Sequence, residues 1–102
     1  MEYKTKGIYP EDALRYFEDL TRIPHGSGNE AGIAQYLLDF AKEHGLWAKT
    51  DDIHNVYMKK PGSKGMEELP AVLLQGHTDV VCANTEDSAH DFEKDPLTLI
   101  VD

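Results

Sequence analysis

The apolar positions of this chain recur first at helical and then at strand spacing. Pro10-Glu11-Asp12 predicts a helix start, with proline in the first turn and acids near the positive end of the helix dipole. Leu14, Phe17 and Leu20 or Thr21 follow at helical spacing until Ile23-Pro24 stops the pattern. The loop Pro24-His25-Gly26-Ser27-Gly28 then leads into a second predicted helix. Ser27 and Glu30 have the spacing of a capping box, which makes Ser27 its N-cap. Ile33, Leu37, Phe40 and Ala41 form the apolar stripe, and Gly45 stands where a C′ glycine belongs.

After Gly45 the period shortens to two. Leu46, Ala48 and Thr50 alternate with Trp47 and Lys49, predicting a strand. Asp51 to Asn55 is the expected turn and Val56-Tyr57-Met58 the second strand of a hairpin that ends at Pro61-Gly62. Residues 61–69 form a charged connection. Ala71-Val72-Leu73-Leu74-Gln75 is apolar on both faces, as expected of a strand buried between layers. Residues 82–96 read as a long loop of the kind that carries function or stays disordered, and Leu97 to Val101 as one further strand. Helices followed by strands, one of them buried on both sides, predict a layered α/β fold. Two helices cover one face of such a sheet, so its other face needs a cover that the chain does not obviously contain.

The 102 residues provide for one domain and one modest core, at 40% hydrophobic and 28% charged residues. No run reaches the roughly 18 apolar residues of a membrane span, and no apolar segment of a secretory signal follows the N-terminus. A single cysteine, Cys82, excludes an internal disulfide framework and fits a reducing, cytoplasmic setting. The net charge of −9 disfavours nucleic acid and anionic lipid as partners. Acid is concentrated from Asp79 onward, with seven Asp or Glu against the single base Lys94. Such a run is either a solvated loop face or a cation-attracting environment.

Candidate chemistry lies in Leu73-Leu74-Gln75-Gly76-His77-Thr78-Asp79-Val80-Val81. Residues i and i+2 of an extended segment point the same way, so His77 and Asp79 can share one side at the carboxyl end of a strand. Neutral imidazole is a good zinc ligand, and a carboxylate that accepts its other ring N–H fixes the tautomer. In that reading His77 is the metal ligand and Asp79 its orienting partner. The other reading is a histidine hydrogen-bonded to a neighbouring loop carboxylate. His25, His44 and His54 sit in a loop, a last helical turn and a hairpin turn, and His90 lies on the acidic loop beside Asp91 and Phe92. Cys82 has no CxxC partner, and Gly26-Ser27-Gly28 is explained by helix capping.

Four ordered segments together resemble the aminoacyl-histidine (Xaa-His) dipeptidases, a branch of the two-zinc metallopeptidases. They are Ile23 to Glu30, Asp52-Ile53-His54-Asn55-Val56, Leu74 to Val81, and His90-Asp91-Phe92-Glu93-Lys94-Asp95-Pro96. The resemblance implies that His77 ligates one of two zinc ions, or another divalent metal in their place. It also implies that Asp79 is the catalytic aspartate beside it. It implies an α/β fold, the N-terminal part of a layered zinc-peptidase catalytic domain, with two helices followed by strands of a mixed sheet. The implied activity is hydrolysis of short peptides such as Xaa-His by a metal-activated water. The parent is expected to be a cytoplasmic homodimer with no nucleic-acid or membrane partner.

In that family the general base and remaining ligands lie further along the chain, whereas an open zinc site takes about three protein ligands. Residues 1–102 are therefore expected to be a partial catalytic domain, without the remainder of that domain or a dimerisation or lid domain, and inactive in isolation. Two other readings stay open. One is a non-catalytic α/β module binding a partner through a bare sheet surface, and the other a small metal-binding protein whose site is shared between copies.

Overall fold

The structure is a computed structural model and describes residues 2–102. It falls into two compact units, one built from residues up to Ile33 together with Asp79–Asp102, the other from Ala34–Thr78. The element order is α1 (Glu11–Thr21), α2 (Ala31–Glu43), β1 (Trp47–Thr50) and β2 (Val56–Lys59). Helices followed by strands are the expected α/β order.

In the first unit α1 starts where Pro10 predicts, with the Leu14 N–H donating to Pro10 O at 3.0 Å. It ends before Pro24, and the Arg22 N–H caps it through Asp19 O. Its buried face differs from the predicted stripe. Phe17 is exposed and Leu14 and Leu20 are half-buried, while the buried positions are Thr21, which belongs to the predicted stripe, and Glu18, which does not. The reason is a set of donors from the N-terminal segment. The Glu18 carboxylate accepts the Lys4 N–H at 2.8 Å, the Thr5 N–H at 3.2 Å and the Thr5 hydroxyl at 2.9 Å. A charge with that many partners can be buried where a bare one cannot. Arg22 adds an ion pair to Glu18 at 3.5 Å and one to Asp19 at 3.3 Å, with its guanidinium stacked 4.6 Å from the centre of the Tyr3 ring. Burial pushes the Glu18 carboxyl up, but the Lys4 and Thr5 hydrogen bonds and the Arg22 charge outweigh it and hold the group below the ordinary glutamate value.

Helix α2 keeps its predicted stripe. Ile33 and Ala41 are buried, and Leu37 and Phe40 are half-buried. Its start is not the predicted capping box. The helix begins at Ala31, the Glu30 carboxylate reaches back to the Gly28 N–H at 2.8 Å, and the Ser27 hydroxyl is used elsewhere. At its end Gly45 takes φ +66, the left-handed turn for which glycine suits. The Gly45 and Leu46 N–H groups then close onto Lys42 O and Ala41 O at 3.2 and 2.8 Å, the paired bonds of a Schellman motif.

In the second unit β1 and β2 form the predicted hairpin, antiparallel from Trp47↔Lys59 to Thr50↔Val56. Asp51 organises its turn. One carboxylate oxygen accepts the Ile53 and Asn55 N–H groups at 3.1 and 3.0 Å, and the other accepts the Asn55 side-chain amide at 2.9 Å. The expected buried strand at 71–75 is not present. Val72, Leu73 and Leu74 are 86–89% exposed and belong to no strand. Their apolar pattern favours burial between layers, but no described strand pairs with them, and an extended segment without a ladder remains open to water. The expected strand at Leu97–Val101 does not form either. The Leu97 N–H instead donates to Thr21 O at 2.8 Å, and Leu99 O accepts from the Lys4 ammonium at 2.7 Å. No described helix is long and apolar enough to cross a membrane.

Candidate functional site

Asp79 is half-buried in the first unit and is positioned by the loop before α2. Gly26 and Val80 form a parallel bridge, in which the Val80 N–H donates to His25 O at 3.1 Å and the Ser27 N–H to Val80 O at 3.2 Å. Side chains of extended segments alternate between faces. The pairing therefore assigns His25, Ser27 and Asp79 to one face and Gly26, Val80 and Cys82 to the other. Side-chain contacts agree on both faces. The Ser27 hydroxyl donates to Asp79 Oδ2, and Cys82 Sγ packs directly over Gly26, where a Cβ would overlap it.

His25 is buried at 8% exposure, with Nδ1 at 2.5 Å from Ile23 O. A bond to a carbonyl requires a proton on Nδ1. His77 belongs to the second unit and is exposed. The boundary between the units thus passes between Thr78 and Asp79, within the motif itself. His90 is half-buried against the edge of Phe92, with ring centres 4.6 Å apart, and its enclosed Nε2 meets no hydrogen-bond partner among the described residues. Cys82 is a free, exposed thiol. The acidic stretch that follows folds locally onto itself, with the Asp91 N–H donating to Asp95 Oδ2 at 2.9 Å and the Asp95 N–H to Asp91 O at 2.7 Å. Thr85 hydrogen-bonds Asp87 and holds its carboxyl below the usual range.

Imidazole nitrogen and carboxylate oxygen are donors that suit zinc. Their number does not complete a site, because among the described residues no three His, Cys, Asp or Glu side chains converge as metal ligands.

No protein-family model matches the chain. Among solved structures, the aminoacylhistidine dipeptidase of Vibrio alginolyticus superposes on 99% of this chain with a TM-score of 0.89 at 36% identity. The cytosol non-specific dipeptidase of Escherichia coli K12 is 37% identical over 95 residues, 93% of this chain. This chain is homologous to the N-terminal portion of these dipeptidases. The chain spans 20% of the E. coli protein and 21% of the Vibrio chain. A Pyrococcus furiosus protein bearing the name LysW-lysine/LysW-ornithine hydrolase is 35% identical over 74 residues, 72% of this chain and 21% of that protein. The homologues are hydrolases, and the dipeptidase likeness extends over nearly all of this chain, the candidate site residues included.

Ser27 is the site residue that sequence reasoning passed over. Its spacing to Glu30 matched a capping box, and its actual partner lies 52 residues away.

Proposed function

We propose that this chain contributes one corner of a zinc dipeptidase active site, acting on short peptides such as Xaa-His in the cytoplasm. The observation that carries the reading is dipeptidase homology at 36–37% identity through a stretch that includes Gly76-His77-Thr78-Asp79. His77 supplies a neutral imidazole as a ligand, and Asp79 supplies the carboxylate that orients the ligand and tunes its basicity. Zinc, when bound, polarises the scissile carbonyl and activates a water molecule. The remaining ligands and the general base come from outside these residues, a reading supported by the absence of a three-ligand cluster among the described ones. The exposed Val72-Leu73-Leu74 run supports it as well. Covering those side chains is worth roughly 1.5–3 kcal/mol each.

The test exchanges residues 1–102 for the matching stretch of the E. coli dipeptidase, with the 102-residue chain alone as control. The chimera is expected to hydrolyse Xaa-His dipeptides with zinc, and the isolated chain is not. His77→Ala in the chimera is expected to lower activity about a hundredfold or more, beyond the usual cost of losing a ligand's outer partner. A chimera that is active and indifferent to His77→Ala would refute the ligand assignment.

A further inference from the structure

We propose that Ser27 is the positioning residue for the Asp79 carboxylate, a role that rests on the reading of His77 and Asp79 given above. The Ser27 hydroxyl donates to Asp79 Oδ2. The contact is not an isolated surface pairing, because the two backbone hydrogen bonds of the parallel Gly26–Val80 bridge hold its two ends in register. The bridge sets the spacing of the two segments, alternation brings residues 27 and 79 to one face, and the hydroxyl fixes the plane of the carboxylate.

Helix capping does not account for this hydroxyl. Helix α2 starts at Ala31, and the Gly28 N–H is taken by Glu30. Close packing of the opposite face, where Cys82 Sγ covers Gly26, keeps the two segments together without help from the serine. Ser27 is itself exposed, so water can replace its bond and the hydroxyl adds little to folding. What the bond does determine is orientation. An aspartate that accepts a ligand's N–H must present one oxygen in a set direction, and committing Oδ2 to Ser27 sets it.

The experiment measures zinc affinity by chelator competition, together with kcat and KM on a dipeptide, in the chimera that carries residues 1–102 in the E. coli dipeptidase. The variants are Ser27→Ala, Ser27→Thr, Asp79→Ala and the double variant Ser27→Ala/Asp79→Ala. Ser27→Ala is expected to weaken zinc about tenfold, at the low end for an outer partner of a ligand, and to lower kcat with little change in KM. Ser27→Thr keeps the hydroxyl and is expected to restore both to within about twofold of the parent. Once Asp79 is alanine, Ser27→Ala is expected to add nothing. The positioning role is overturned by parental zinc affinity and kcat in Ser27→Ala, by a threonine variant as poor as the alanine one, or by additive losses in the double variant. Failure of the underlying reading shows separately. His77→Ala with parental zinc affinity and activity would remove the metal assignment, and the positioning role with it.

Discussion

Gly26 is required by what lies above it rather than by its backbone, since its φ is not among the positive values of the chain. An alanine Cβ there would overlap Cys82 Sγ, and the next neighbour, Val80 O, is already 4.0 Å away. The whole clash therefore resides in one sulfur atom. Gly26→Ala must turn Cys82 off its rotamer or spread the pairing with Val80, an overpacking that costs about 1–3 kcal/mol. Cys82 is exposed and has room to turn, which puts the expected cost near the low end, about 1.4 kcal/mol. Cys82→Ala removes the obstructing atom, so Gly26→Ala is expected to be close to neutral in that background. The assay is native-state hydrogen exchange of the Val80 and Ser27 amides, which form the two bonds of the bridge. A cost of about 1.4 kcal/mol corresponds to roughly tenfold faster exchange in Gly26→Ala, returning to parental rates in the double variant. Equal acceleration in both backgrounds, or none in the single variant, would refute the steric argument.

Two further predictions concern stability. Glu18 has a folded pKa below its unfolded one, so its contribution is fully present above the ordinary glutamate pKa and is lost as pH falls through the folded value. Urea unfolding from about pH 7 to about pH 3 should show the parent losing more stability than Glu18→Gln, which starts lower at neutral pH; parallel curves would contradict this. His54 occupies the left-handed region at φ 66, where a Cβ is strained. His54→Gly is expected to raise stability by up to about 1 kcal/mol, or about 5 °C in Tm, and a lower Tm would oppose it.

What could be read from the sequence was short in range. Helix α2 and its closing turn follow from residues within a few positions of one another, as does the hairpin with Asp51 at its turn. The misreadings all involve partners far along the chain. Nothing around Glu18 signals that donors 13 and 14 residues earlier will neutralise it, so a carboxylate takes the place predicted for Phe17. Ser27 and Glu30 present the same pattern whether the hydroxyl caps a helix or holds Asp79. The spacing of His77 and Asp79 gave the site its first candidates, but spacing alone says nothing about the loop that locks Asp79 in place. Hydrophobicity at 71–75 records the burial that the segment favours, whereas burial itself depends on a neighbouring strand.

The exposed Val72-Leu73-Leu74 run has a consequence for how copies of this chain behave toward one another. Its backbone, which joins no strand among the described residues, and its uncharged side chains form an adhesive edge, the kind of segment through which separate chains stack into sheets. Against that edge stands a net charge of −9, which keeps copies apart over about a Debye length, ~10 Å at 0.1 M salt. Colloidal behaviour is thus a contest between a short-range attraction that salt leaves intact and a longer-range repulsion that salt removes. The chain disperses best in dilute buffer well above its pI of 4.8, and both added salt and mild acid shift the balance toward association.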